Sequence, residues 1–215
     1  MSKSLPHLLT FIRHTMRNFH HTGAVAPSSQ WLARALAEPL AERPEDGSPI
    51  RVLEAGPGTG ALTLEIVQHL RKGDHLTLCE INREFIKHLE RRFRHDPKLR
   101  PWRNQVTIHY GAVEDLETPQ QFHHIVSGLP FNNFDPEMVR DIFVAFEEML
   151  MPGGTVNFFE YVGIRTLKAP FVDEAERTRL RMVEQVIDDV TSRGSRQRRL
   201  MLFNFPPAWV CSLQA

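Results

Sequence analysis

The sequence predicts an α/β fold: a mostly parallel β-sheet with helices on both faces and an antiparallel hairpin at the end of the chain. Between residues 51 and 191, strand-like segments alternate with segments of helical periodicity, which is typical of repeated β-α units. The first of these strands leads directly into a glycine-rich turn. The last two strand-like segments are separated only by Pro206 and Pro207, a spacing that predicts an antiparallel edge pair.

The amino-acid composition limits the classes of protein to which the chain can belong. The chain has 215 residues, 41% of them hydrophobic, which is enough for one sizeable core. Lys and Arg together number 26, as do Asp and Glu, and this balance counts against nucleic acid as a partner because polyanion binders usually carry a basic excess. Cys79 and Cys211 lie in apolar strand-like stretches and are expected to be buried free thiols, with no metal bound.

The first element expected is an amphipathic helix over residues 5–20, with apolar residues at helical spacing and a basic opposite face. A loop at 22–29 and a second helix to about residue 41 should follow, then a polar linker. No stretch approaches the ~20 apolar residues of a membrane span. The start lacks a secretory signal, so a cytoplasmic location is expected.

The sheet elements follow in chain order. Strands are expected at residues 51–55, 75–80, 105–110, 123–127, 155–161, 198–205 and 208–213. Helices are expected at residues 61–70, 83–94, 136–150 and 173–191, with a Met-Pro-Gly-Gly turn at 151–154.

A glycine-rich loop after the first strand is the strongest sign of a ligand site. Gly56, Gly58 and Gly60 allow the backbone to approach a ligand closely, although such a loop alone also fits dinucleotide binders. Glu54 precedes the first glycine, which suits a ligand with a positive amino-acid end better than a pyrophosphate. Glu80 ends the next strand, where a carboxylate can accept both hydroxyls of a ribose.

These segments resemble the motifs of class I methyltransferases, which bind S-adenosylmethionine (SAM) on a Rossmann-like sheet and release S-adenosylhomocysteine (SAH). Residues 54–60 resemble motif I, Glu80 motif II, residues 111–115 the adenine-contacting motif III and residues 127–131 motif IV beside the methyl group. The resemblance implies that no metal is needed. It also implies a set of cofactor-binding residues: Glu54, Gly56, Pro57, Gly58, Thr59, Gly60, Glu80, Ile81, Val113, Glu114 and Ser127.

Three segments resemble bacterial phospholipid N-methyltransferases, which act on phosphatidylethanolamine: residues 22–29, residues 127–137 and residues 206–210. Ornithine-lipid N-methyltransferases share the general pattern. The resemblance implies a lipid substrate and contact with an anionic membrane surface. Residues 1–47 would then form a helical cover in contact with the membrane, and residues 48–215 the SAM-binding domain.

Other acceptors remain open. Residues 54–63 are also similar to ribosomal RNA adenine dimethyltransferases, but Gly128 occupies the position of their motif IV asparagine. The basic helical domain that follows in those enzymes is not expected within these 215 residues. A methyltransferase for a soluble small molecule and a non-enzymatic SAM-binding protein are two further alternatives.

Methyl transfer is an in-line displacement that requires an aligned amine lone pair. Backbone carbonyls of Ser127, Gly128 and Leu129 are expected to accept the N–H bonds of the amine. Tyr161 could add a hydroxyl to this catalytic group, or be a half-buried core aromatic. Glu160 is a possible proton acceptor, but strand alternation should turn it away from Tyr161. An arginine cluster could meet lipid phosphate or solvent: Arg193, Arg196, Arg198 and Arg199.

Overall fold

The computed structural model describes residues 27–44, 46–116, 118–162, 173–192, 194–202 and 207–214. The amphipathic helix expected at residues 5–20 lies outside these ranges. The strands are β1 (Arg51–Ala55), β2 (His75–Glu80), β3 (Val106–Tyr110), β4 (Phe122–Ser127), β5 (Leu150–Tyr161), β6 (Ser195–Met201) and β7 (Ala208–Gln214). The α-helices are α1 (Pro27–Ala37), α2 (Ala61–Ile66), α3 (Arg83–His95), α4 (Pro136–Met149) and α5 (Glu174–Thr191).

The seven strands form one sheet in the order β3-β2-β1-β4-β5-β7-β6. Strands β1 to β5 run parallel to one another, whereas β7 lies between β5 and β6 and is antiparallel to both. The predicted fold class, including the antiparallel pair at the end of the chain, is therefore confirmed.

Most element boundaries agree with the expected ones, and the differences have local causes. Helix α2 ends at Ile66 rather than residue 70. The N–H groups of Gln68 and His69 donate to the carbonyls three residues earlier, those of Glu65 and Ile66, as in a 3₁₀ turn and not four residues earlier as in an α-helix. Strand β6 begins at Ser195, before the expected residue 198, because it pairs with β7 along its whole length.

The Met-Pro-Gly-Gly segment does not end the pairing of β5. Phe122 lies opposite Leu150 and His124 opposite Thr155, so residues 151–154 form an insertion within the strand. Gly153 there has a φ of +78°, a left-handed conformation that glycine adopts at little cost. The predicted turn is thus a bulge inside a longer strand.

Two hydrophobic cores cover the two faces of the sheet. Because successive side chains of a strand point to opposite faces, Leu53 lies on the face covered by α4 and α5, and Val52 lies on the face covered by α1, α2 and α3. The two sets include Phe143, Phe146, Phe158 and Ile187 on the first face, and Leu36, Leu40, Ile66, Leu78 and Leu89 on the second.

Residues preceding the first strand belong to the second core. Leu36 on α1 is 2% exposed and Leu40, just after it, is fully buried.

Cys79 and Cys211 are both buried and free, as predicted. Over the ranges described, no helix is both long and apolar enough to cross a bilayer.

Candidate active site

The four motifs of the sequence meet at one edge of the sheet. Ala55, at the end of β1, lies beside Cys79 on β2 and Ser127 on β4, and Glu80 lies beside Tyr110 at the end of β3. Because these strands are parallel, the loops that follow them leave the sheet on the same side. Ligands of open α/β sheets bind at this carboxyl edge.

The glycine-rich loop is shaped by left-handed backbone. Gly56 has a φ of +73°, and a Cβ there would lie 2.6 Å from Cδ2 of Leu129. Gly58 has a φ of +55°, but a Cβ there would meet nothing within 4 Å. The left-handed φ favours glycine at position 56, where a Cβ would also press on the Leu129 side chain, whereas Gly58 borders open space where a ligand can approach the backbone.

Glu80 connects the loop to the second strand. Its Oε2 accepts a hydrogen bond from the Gly58 N–H at 3.0 Å, and its Oε1 accepts one from the Asn82 N–H at 2.8 Å. Burial raises the pKa of this carboxyl, while these backbone bonds act in the opposite direction. Each carboxylate oxygen has a further lone pair, so Glu80 can still accept two hydroxyl groups.

Glu54 lies under the loop with no solvent exposure. Its Oε2 accepts a bond from the Thr63 hydroxyl at 2.8 Å, while its Oε1 has no partner among the residues described. Burial raises its pKa to about 8, and the nearby Glu80 charge adds to the rise. An unpaired buried carboxyl oxygen is costly, so this position fits a ligand that supplies a positive charge.

Val113 and Glu114 lie in a short 3₁₀ turn after β3. Val113 is 5% exposed and packs in the first core, so its backbone is the part that can face an adenine ring. Glu114 is exposed, and Ile81 is half-buried after β2. Motifs II and III are joined at this edge, since the Gly111 N–H donates to the Glu80 carbonyl at 3.1 Å.

The motif IV loop lies directly against the glycine-rich loop. The Gly128 N–H donates to the Ala55 carbonyl at 2.9 Å, and a Cβ on Gly128 would lie 2.8 Å from the Gly56 carbonyl oxygen. The Leu129 carbonyl already accepts from Phe131, whereas the Gly128 carbonyl has no partner within the ranges described. Ser127 is fully buried and its hydroxyl accepts a bond from the Leu129 N–H at 3.3 Å.

Tyr161 and Glu160 face opposite sides of the sheet, as strand alternation predicts. The Tyr161 ring packs edge-on against Phe159 at 5.0 Å between centroids, on the second face, and burial raises its pKa. Glu160 accepts bonds from Arg196 at 2.5 Å and Arg198 at 3.0 Å on the first face. Glu160 is therefore part of an ion-pair cluster at the hairpin.

These ion pairs involve the arginine cluster for which contact with lipid phosphate or with solvent is expected. Arg196 also contacts Asp188 at 2.9 Å, and Arg199 pairs with Glu38 at 2.5 Å. Three of the four arginines are thus paired with carboxylates, while the side chains of Arg198 and Arg199 remain 39% and 51% exposed. Arg193 lies outside the residues described.

Sequence reasoning missed three residues that contact the site loops. Thr63 satisfies one oxygen of Glu54. Arg92 donates to carbonyls of the glycine-rich loop, and Arg179 donates to carbonyls just after motif IV. No motif marks the arginines, because each acts through tertiary proximity. In the part of the chain described, no three His, Cys, Asp or Glu side chains are grouped as metal ligands would be.

Comparisons with known proteins agree with this geometry. Residues 52–154 match a family described as a methyltransferase domain. The chain is 30% identical over 148 residues to the ornithine lipid N-methyltransferase of Singulisphaera acidiphila, covering 65% of this chain and 71% of that protein. It is 32% identical over 93 residues to ribosomal RNA small subunit methyltransferase A of a Synechococcus strain, covering 43% of this chain and 30% of that protein.

A solved structure shows the same fold. The O-methyltransferase TomG of Streptomyces achromogenes, determined in complex with SAM, superimposes with a TM-score of 0.64 at 15% identity. The match covers 100% of this chain and 91% of TomG. At this identity the likeness concerns the architecture of the sheet and its helices.

Proposed function

The chain belongs to the class I methyltransferases, which use SAM as the methyl donor, and we propose that its acceptor is a primary amine in a lipid headgroup. The observation that carries the proposal is the motif IV loop. Its Gly128 approaches the glycine-rich loop too closely for a side chain and offers a carbonyl oxygen that has no partner among the described residues. The similarity to an ornithine lipid N-methyltransferase supports the same acceptor class.

The cofactor site is proposed to use residues at the ends of four strands, β1 to β4. Glu80 would accept the ribose hydroxyls, and Glu54 would lie toward the positive amino-acid end. The open space at Gly58 would admit the ligand beside the backbone. When bound, SAM supplies an electrophilic methyl carbon on its sulfonium. The remaining proposed contacts are those of Gly56, Pro57, Thr59, Gly60, Ile81, Val113, Glu114 and Ser127.

On the acceptor side, a neutral amine must direct its lone pair at the methyl carbon. The Gly128 carbonyl can accept an amine N–H because nothing within the described ranges occupies it. Carbonyls of Ser127 and Leu129 have a second lone pair for the same purpose. Tyr161, at the end of β5, would bring its hydroxyl to the acceptor side.

Phosphatidylethanolamine and ornithine lipid both offer a primary amine. Phosphatidylethanolamine is the acceptor expected from the sequence motifs, and the Singulisphaera relative adds ornithine lipid as a second candidate. We propose peripheral association with an anionic membrane surface for either substrate, through the amphipathic helix that the sequence predicts at residues 5–20.

The alternative of RNA adenine methylation is supported by the relative from Synechococcus, which this chain matches over 93 residues. A direct test is to incubate the enzyme with labelled SAM, vesicles containing both amine lipids and deproteinised ribosomal RNA together. Label in lipid supports the proposal, and chromatography then identifies the headgroup. Label in RNA, or in neither fraction, contradicts it.

Tyr161→Phe tests the acceptor side of the site. If the hydroxyl contacts the amine, this variant lowers kcat more than it weakens SAM binding, because the cofactor contacts are unchanged. Steady-state kinetics and calorimetry measure the two effects. Equal losses in both, or none in either, would exclude Tyr161 from the acceptor site.

A further inference from the structure

Arg92 connects helix α3 to the glycine-rich loop. Its Nη1 donates to the Thr59 carbonyl at 2.8 Å and to the Gly60 carbonyl at 3.1 Å. Its Nε and Nη2 both donate to Oδ2 of Asp96, at 3.2 and 2.7 Å. Asp96 therefore fixes the orientation of the guanidinium, which in turn holds two successive peptide groups of the loop.

Arg179 makes the same kind of connection from helix α5 to the acceptor side. Its Nη1 donates to the Phe134 carbonyl at 2.5 Å, and its Nη2 donates to the Asn132 carbonyl at 2.9 Å. Its Nε and Nη2 also donate to the two carboxylate oxygens of Glu176, at 2.7 and 2.6 Å. The segment that it holds follows directly after Gly128 and Leu129.

Both arginines are shielded enough for these bonds to be strong. Their side chains are 19% and 21% exposed, against 66% for Lys87 in a surface ion pair on α3. A planar guanidinium with five donors can serve a carboxylate and two carbonyls at once, whereas a lysine ammonium cannot match that geometry. The arrangement therefore depends on arginine and not merely on positive charge.

The loops are also shaped to accept these contacts. A Cβ on Gly60 would lie 3.0 Å from Nη1 of Arg92, so a glycine there leaves room for the guanidinium. On the other loop, Phe131 is 2% exposed and packs 5.0 Å from Phe143, which anchors the middle of the segment. Arg179 fixes its far end.

We infer that Arg92 and Arg179 are positioning residues for two different loops. Arg92 holds the glycine-rich loop, residues 56–60, which we call the cofactor loop. Arg179 holds the loop after β4, residues 128–134, which we call the acceptor loop. The second half of this inference rests on the proposed function, because it assigns the Gly128 carbonyl to the acceptor. Neither guanidinium contacts the reacting atoms. Each acts through the peptide groups that it holds in place.

The test compares Arg92→Lys and Arg179→Lys, with Arg94→Lys and Arg181→Lys as matched controls on the exposed faces of the same helices. Arg92→Lys should weaken SAH binding about tenfold, because its carbonyl contacts lie in the cofactor loop. Arg179→Lys should leave SAH affinity within about twofold and lower kcat/KM for the acceptor by about ten- to a hundredfold. The control variants should resemble wild type in both measurements.

Hydrogen–deuterium exchange of the SAH-bound protein tests the inference without any acceptor. Arg179→Lys should speed exchange at Phe131, Asn133 and Phe134, whose N–H groups bond within the loop. Arg92→Lys should instead speed exchange at Gly58 and Gly60. Accelerated exchange in both loops in both variants, or in neither loop, would overturn the inference. If wild type methylates no amine lipid, the proposed function fails while this exchange pattern still decides the positioning roles.

Discussion

At the scale of single residues, Glu80 is the clearest test of the cofactor site. Glu80→Ala removes the acceptor of two backbone N–H bonds and of the proposed ribose hydroxyls. It should cost about 1–3 kcal/mol of SAM binding, measured by calorimetry. Glu84→Ala, on an exposed carboxylate of the next helix, is the matched control. An unchanged affinity in Glu80→Ala would remove this residue from the site.

Glu54 predicts a pH dependence of SAM binding. Its pKa of about 8 in the free protein means that the carboxyl is largely neutral at pH 6 and ionises as the pH rises. Because the ionised form attracts the ammonium group of SAM, affinity should increase between pH 6 and pH 7.5, by at most about tenfold per pH unit. Calorimetry at several pH values measures this slope. Glu54→Gln should flatten it, and a slope that persists in that variant would assign the effect to another group.

His124 predicts a pH dependence of stability. It is 7% exposed, its Nδ1 lies 2.8 Å from the Thr155 hydroxyl, and burial lowers its pKa to about 4. Since the unfolded imidazole titrates near 6.5, its stabilisation is complete above that pH and is lost as the pH falls toward 4. The loss should reach about 3 kcal/mol at most.

Denaturant unfolding at pH 7 and pH 4.5 measures this change. The difference in unfolding free energy between wild type and His124→Gln should shrink as the pH falls. His95→Gln, at an exposed position, serves as the control. A difference that is the same at both pH values would show that His124 is not responsible.

At the scale of elements, the helix expected at residues 5–20 predicts membrane recruitment. Its basic face should favour vesicles with anionic lipid, and salt should weaken the association by screening. Co-sedimentation of the full chain and of a variant lacking residues 5–20 measures this effect. Binding that is indifferent to both anionic lipid and this deletion would contradict the prediction.

The other elements show how local pattern and tertiary contact share control. Helix α3 begins at a capped position, since the Asn82 side chain accepts the Glu84 N–H, and its bounds follow from the sequence. Strand β5 behaves differently, because Leu150 pairs with β4 and the segment from Thr155 pairs with β4 and β7, so the turn-favouring residues between them form a bulge and do not end the strand. Pairing before and after the bulge outweighs the local preference of its two glycines.

At the scale of the whole molecule, the sheet order decides which motifs can cooperate. Strand β1 lies between β2 and β4, so its glycine loop meets Glu80 on one side and Gly128 on the other. The hairpin formed by β6 and β7 places Arg196 and Arg198 against Glu160, and Arg199 against Glu38 beyond α1. The zero net charge of the chain thus includes charges paired across distant segments.

The sequence by itself determined the fold class, seven strands close to their observed positions and the loops at the carboxyl edge. These features are local, because the alternation of apolar and polar residues, the positions of glycines and the ends of strands can each be recognised within a short segment of sequence. The loop from Glu54 to Gly60 and the acid at Glu80 were recognisable for the same reason.

Only the tertiary structure decided which groups satisfy one another. The contact of Arg92 with the glycine-rich loop spans 33 residues, and that of Arg179 with the acceptor loop spans 47. Two oxygens that lack a partner within the described part of the chain, Oε1 of Glu54 and the Gly128 carbonyl oxygen, are likewise recognised only from the folded arrangement. Whether a polar group has hydrogen-bond partners depends on the tertiary structure, because those partners can come from segments that are distant in sequence.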